Sequence, residues 1–167
     1  VAAQHLGELD RLDIGAGDGR VLKGIQKAVK EADRFSNLEC YAIEKSIVHQ
    51  SNMPKDITII GTDFHEQTLV DKKVGAVFCN PPYSEFAEWT LKIVREASTR
   101  FIYLVIPVRW RQSVEIQHAL QARSAKVESL GEFDFEDADR KARARVEVVR
   151  IRFKSEHQDA FDSCIKD

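Results

Sequence analysis

The sequence predicts an α/β protein with a mostly parallel sheet, helices on both faces and an antiparallel pair of strands near the C-terminus. Three observations carry that expectation. Short apolar runs alternate with amphipathic segments of helical length from Leu9 to Arg123, the pattern that crossover-connected parallel strands produce. Two strand-like runs then follow with no helical spacing between them. The chemically unusual residues also fall just after the apolar runs, where ligands sit in open α/β sheets.

Taken in order, residues 9–14 form a first strand that glycines stop. Residues 20–33 have helical spacing, with Val21, Leu22, Ile25, Ala28 and Val29 on one side. Residues 38–43 are a second strand and 46–52 a short helix ended by Met53-Pro54. Residues 57–60 and 74–79 are the third and fourth strands. Residues 85–98 read as a helix, 101–106 as a buried fifth strand and 114–123 as another helix. Residues 126–133 and 145–153 are the last two strands. The polar stretch 134–144 between them reads as an exposed loop. No internal repeat, low-complexity tract or linker interrupts the 167 residues, so one domain over residues 1–167 is expected. The chain begins at Val1 and not at a methionine, which is consistent with a truncated N-terminal region.

The composition is that of a globular domain, 43% hydrophobic and 31% charged. A net charge of −2 gives no global attraction to nucleic acid, so any such contact needs a local basic patch. The most apolar run, residues 101–108, is too short to cross a bilayer. Cys40, Cys79 and Cys164 are odd in number and far apart. They suggest neither a metal site nor a disulfide framework, and a reducing cytoplasm is the expected location.

The first strand runs into LDIGAGDG. Gly15, Gly17 and Gly19 stand between a strand and a helix, where glycine permits a tight turn and close approach of a ligand to the backbone. Arg20 occupies the third glycine position of the dinucleotide fingerprint, so that fingerprint is not met. Asp13, two residues before the first glycine, is poorly suited to a pyrophosphate and well suited to a cationic or amino-bearing ligand. S-adenosylmethionine carries a sulfonium and an ammonium group and no phosphate. Asp18 inside the loop points the same way. The plainer role for Asp13 is to cap a backbone amide in the turn.

Two acids follow the next strands. Glu44, ending YAIE, can accept both hydroxyls of a ribose. Asp63, in GTDF, can accept an adenine amino group, with Phe64 packing on the purine, although a solvated acid at a strand end explains Asp63 equally well. The ordered series at successive strand ends weighs more than any one member.

The fourth strand ends in CNPPY. Two prolines cannot continue a ladder, but one would suffice to stop a strand. The chain resembles a class I S-adenosylmethionine-dependent methyltransferase, with LDIGAGDG as its cofactor loop, YAIE as its ribose acid, GTDF as its adenine segment and CNPPY as the signature of amino-methyltransferases such as the N6-adenine DNA enzymes. The resemblance spans residues 9–153 and implies a three-layer Rossmann-like fold around a seven-stranded sheet with one reversed strand. It implies S-adenosyl-L-methionine as cofactor and Asn80, Pro81, Pro82 and Tyr83 as catalytic residues. Those residues make physical sense for methylating an exocyclic amine. The Asn80 side-chain oxygen and the Pro81 carbonyl can accept the two hydrogens of such an amine and localise its lone pair. The prolines stiffen the segment, and Tyr83 can stack on the acceptor.

The implied reaction is methyl transfer to adenine N6 in DNA. An RNA base, a protein glutamine, or a catalytically silent cofactor-binding subunit are the alternatives. A nicotinamide-dependent oxidoreductase is disfavoured by Arg20, Asp13 and the CNPPY run. Phe86, Trp89 and Trp110 could stack a flipped base, although core packing is the preferred role for Trp89. Arg109, Arg111, Arg140, Lys141, Arg143 and Arg145 could meet phosphates, while the interleaved Glu136, Asp137 and Asp139 make a solvated loop as reasonable. The chain leaves almost no room for a separate region that reads base sequence, so the expectation is that a further region or subunit reads it, that the enzyme is promiscuous, or that the substrate is not duplex DNA.

Overall fold

A computed structural model describes residues 10–134 and 145–153. Its strands are β1 (Arg11–Ile14), β2 (Cys40–Ile43), β3 (Ile57–Gly61), β4 (Val74–Cys79), β5 (Thr99–Pro107), β6 (Lys126–Asp134) and β7 (Arg145–Arg152). They form one seven-stranded sheet in the order β3-β2-β1-β4-β5-β7-β6. The first five strands run parallel, and β7 pairs antiparallel with both β5 and β6. The helices are α1 (Arg20–Ala32), α2 (Ile47–Asn52), α3 (Phe86–Glu96) and α4 (Val114–Ala122). This is the predicted architecture.

Strand alternation divides the core in two. Leu12, Ile14, Val77, Cys79, Ile102, Leu104, Val149 and Ile151 pack with Ile93 and Val94 of α3 and Ile116 and Leu120 of α4 in the main cluster. The opposite face holds a smaller cluster of Ala16, Leu22 of α1, Cys40, Ala42, Met53 and Ile57. Asp13, between Leu12 and Ile14, belongs to this second face, in register with Ala42. On α1 the buried positions are Leu22 and Gln26, and Ala28 is exposed. The stripe facing the small cluster is therefore narrower than the apolar spacing predicts.

Two 3-10 turns, Phe64–Glu66 after β3 and Val108–Gln112 after β5, are not evident from periodicity. Each spans fewer than two turns, and residues eclipsed three apart leave no amphipathic signature. Both lie at the carboxyl edge of the sheet, and both bear on the site. Among the described residues no helix is long and apolar enough to cross a membrane.

Candidate active site

The carboxyl ends of β1, β2, β3 and β4 open into one cavity of about 720 Å³. Gly15, Gly17, Glu44, Asp63 and Phe64 line it from the first three strands, and residues 80–83 line it from β4. The two groups of residues singled out in the sequence thus share one space.

The glycine loop is built by backbone conformation. Gly15, Gly17 and Gly19 have φ of 75°, 57° and 78°, a region that side chains with a Cβ rarely adopt. The Gly15 N–H donates to the Ile43 carbonyl at 2.8 Å, which fastens the loop to the end of β2. A Cβ on Gly19 would meet Ile57 at 2.8 Å, whereas one on Gly17 would meet nothing within 4 Å. Gly19 is therefore required for packing, and Gly17 leaves open space beside its backbone.

Glu44 is buried beneath this loop. Its Oε2 accepts from the Gly17 N–H and its Oε1 from the Ser46 N–H, each at 2.7 Å. Each carboxylate oxygen keeps capacity for a further donor. Asp13 is also buried, its Oδ1 has no hydrogen-bond partner, and it does not line the cavity directly. Burial first, and the neighbouring Glu44 charge second, push its carboxyl up to about 7. An unpaired buried acceptor next to a second carboxylate is a site with a strong demand for a donor or a cation. A buried acidic pair beneath an open glycine loop fits a ligand that brings hydroxyl donors and a cationic group, as S-adenosylmethionine does.

Asp63 caps the 3-10 turn that follows β3. Its Oδ1 accepts from the His65 N–H at 3.0 Å and its Oδ2 from Lys45 Nζ at 2.7 Å. The Lys45 hydrogen bond is the main reason its carboxyl lies below the usual range. Asp18 and Gly19 do not line the cavity. The Asp18 carboxylate is engaged by Arg20, whose Nη2 lies 2.7 Å away on the surface.

On the acceptor side, Asn80 is exposed at the end of β4, Pro81 is buried and Pro82 is exposed. The Glu85 N–H donates to the Pro82 carbonyl at 2.9 Å, closing the turn that presents Tyr83. The Arg109 guanidinium lies 4.8 Å from the Tyr83 ring centroid and 5.1 Å from that of Phe86. Phe86 itself is buried in the main core, which leaves Tyr83 as the ring at the mouth. Trp110 points inward, its Nε1 donating to Glu147 Oε2 at 2.8 Å. The Arg111 Nε donates to the same oxygen at 3.1 Å. Glu147 is fully buried on β7 and ties the 3-10 turn after β5 to that strand. Burial alone would raise its carboxyl, but hydrogen bonds from Arg111, Ser129 and Trp110 outweigh this and hold it below the usual range. Of the RWR run, only Arg109 lies against the Tyr83 ring. Arg140, Lys141 and Arg143 lie outside the described residues.

Lys45, His49, His65 and Glu85 also line the cavity and were not read as site residues in the sequence, and Trp89, for which core packing was the preferred role, lines it too. Lys45 directly follows Glu44 in the chain, a position that could have drawn attention to it.

No protein-family model matches the chain, and no curated protein does. Solved structures do. A chain of the E. cuniculi Mtq2–Trm112 complex, responsible for methylation of the eRF1 translation termination factor, superposes with a TM-score of 0.62 at 14% identity, over 90% of this chain and 88% of that one. A dimethyladenosine transferase from Plasmodium falciparum gives 0.67 at 11% identity, over 91% of this chain and 57% of that one. The 23S rRNA methyltransferase ErmE gives 0.59 at 16% identity, covering 92% and 65%. This chain thus spans under two thirds of the length of the last two. At these identities the likeness is one of fold, the Rossmann-like, mostly parallel seven-stranded sheet that these methyltransferase structures share.

Proposed function

We propose that this chain transfers a methyl group from S-adenosylmethionine to an exocyclic amine on a planar acceptor, with adenine N6 of a nucleic acid as that amine. One observation carries the reading: the Gly15–Glu44–Asp63 set and the rigid residues 80–83 line the same cavity. When bound, S-adenosylmethionine supplies an electrophilic methyl group on its sulfonium. The chain's own contribution is placement. Asn80 Oδ1 and the Pro81 carbonyl accept the amine hydrogens, Tyr83 stacks on the acceptor plane, and no strong base is needed at the start of transfer. Arg109, already over Tyr83, supplies positive charge where an acceptor's phosphate would approach.

DNA is the polymer that the CNPPY run most often implies. The neighbouring structures include an rRNA methyltransferase and a complex that methylates a protein factor, and these support a second reading with RNA or a protein glutamine as acceptor. The deciding experiment supplies methyl-labelled S-adenosylmethionine with single-stranded DNA, duplex DNA, RNA and protein extract, then identifies the labelled product by mass spectrometry. Labelled N6-methyladenine is the expected product, and the polymer that carries it settles the acceptor. Label on glutamine would replace the nucleic-acid reading. Cofactor binding with no label anywhere would leave a cofactor-binding subunit that acts beside a partner.

Two substitutions separate the halves of the site. Glu44→Ala is expected to weaken S-adenosylhomocysteine binding by roughly tenfold or more, since hydrogen bonds to a charged group contribute about 1.5–3 kcal/mol. Calorimetry giving an unaltered Kd would discard the ribose assignment. Arg109→Ala is expected to raise the KM for a nucleic-acid acceptor about three- to tenfold and to flatten its salt dependence, with cofactor affinity unchanged. A salt slope identical to that of the parent protein would remove Arg109 from the acceptor contact.

A further inference from the structure

We infer that Trp89 is itself a cofactor-binding residue, the aromatic wall of the cleft between the glycine loop and the Phe64 segment. The inference rests on the reading that S-adenosylmethionine occupies this cavity.

Helical spacing alone assigns Trp89 to the core of α3. The buried positions of that helix are Phe86, Thr90, Ile93 and Val94, and Trp89 stands at the flank of this face, half-buried and lining the cavity. Its indole packs directly on the cofactor loop, since a Cβ built on Gly15 would lie 3.3 Å from the indole Cζ3. The absence of a side chain at Gly15 is therefore matched to the presence of this ring. On its other flank the indole lies 4.5 Å from the Phe64 ring centroid. Phe64, the aromatic residue that the sequence offers to the purine, is only 3% exposed, with Trp89 and the Lys92 ammonium over its surroundings. Phe64 backs the wall, and Trp89 presents most of the accessible aromatic surface there.

The indole is also held in place. Its Nε1 donates to Glu85 Oε2 at 2.9 Å, one helical turn earlier. Glu85 follows residues 80–83 closely in sequence, and its Oε2 lies 3.6 Å from His65 Nε2 on the other side. With the N–H already satisfied, the ring face is what remains for a ligand. An electron-rich face suits a planar purine and a sulfonium cation alike, and one ligand carries both. Because the same helix continues from the acceptor clamp, Trp89 mechanically joins the two halves of the site.

The test uses S-adenosylhomocysteine as the probe, with binding measured by calorimetry and by tryptophan emission. The chain has two tryptophans, and Trp110 is buried against Glu147, outside the cavity lining. The wild-type emission is expected to change on titration and to saturate at the calorimetric Kd, and the change is expected to vanish in Trp89→Phe, which retains Trp110. Trp89→Phe is expected to bind within about threefold of wild type because it keeps a π face. Trp89→Leu, which keeps apolar packing without a π face, is expected to bind roughly tenfold or more weakly, in line with stacking contributions of about 1–3 kcal/mol. Wild-type affinity in Trp89→Leu, with emission unmoved by a ligand that calorimetry shows to bind, would overturn the role of Trp89 and leave the cofactor reading intact. No calorimetric binding to the wild-type chain would overturn both.

Discussion

Asn80→Ala is expected to lower methyl transfer on the order of 10²–10³-fold while leaving S-adenosylhomocysteine affinity within about twofold, the scale of effect seen when one preorganised polar contact to a reacting group is removed. Asn80 is exposed at the end of β4, no described residue hydrogen-bonds its carboxamide, and the fold does not depend on it for packing. Its position is nonetheless restrained. Pro81 disfavours the helical region for Asn80 and is itself buried, so the carboxamide projects from a stiff backbone. An acceptor fixed in this way gains in strength as the amine becomes pyramidal, so its removal should depress kcat with little change in the acceptor's KM. Asn80→Asp keeps an acceptor oxygen and is expected to retain more activity than the alanine variant. Single-turnover rates with saturating cofactor provide the check. Transfer by Asn80→Ala at the parent rate would remove the clamp, whatever the identity of the acceptor.

The fold was legible in the sequence because its signals are local. Alternation at Leu12, Asp13 and Ile14 sets both the strand and the face to which Asp13 turns. The glycine loop and the double proline mark where β1 and β4 stop. What escaped the sequence depends on contacts between distant segments. The run Arg109-Trp110-Arg111 presents three plausible substrate contacts, but Glu147 on β7, more than 30 residues away, buries Trp110 and pairs with Arg111, and leaves Arg109 over Tyr83. No periodicity announces a single 3-10 turn or a buried carboxylate within a strand. Trp89 was obscured for a related reason, since helical spacing cannot distinguish the core face of α3 from the flank that meets Gly15. Asp18 differs again, because a loop acid with an arginine two residues later has a local partner that satisfies it at the surface.

Asp13→Asn is expected to stabilise the ligand-free protein at pH 8 by on the order of 2–4 kcal/mol and to abolish a pH dependence that the parent chain should show. The side chain is buried, Oδ1 is unpaired and Glu44 adds a like charge, so the folded chain raises this carboxyl from 3.8 to about 7. Between those values the native state holds a proton that the unfolded state has lost. Stability therefore falls as pH rises from about 4 to about 7 and then levels off, the opposite of a salt-bridged carboxylate. Asparagine carries no proton equilibrium, and its denaturation midpoint should be flat across that window apart from contributions of other groups. Ligand binding should reverse the sign of the benefit. An ammonium group beside Asp13 favours the ionised carboxylate, so S-adenosylhomocysteine affinity should rise with pH by up to about tenfold per unit below 7 in the parent chain. The asparagine variant should bind more weakly at pH 7 and lose that slope. Denaturant titrations and calorimetry at pH 5.5, 6.5, 7.5 and 8, run on both chains, measure the two effects together. Parallel affinity profiles for the two proteins would place the ammonium group elsewhere, whereas a stability difference that vanishes at pH 7.5 would mean that Asp13 ionises without strain in its buried position.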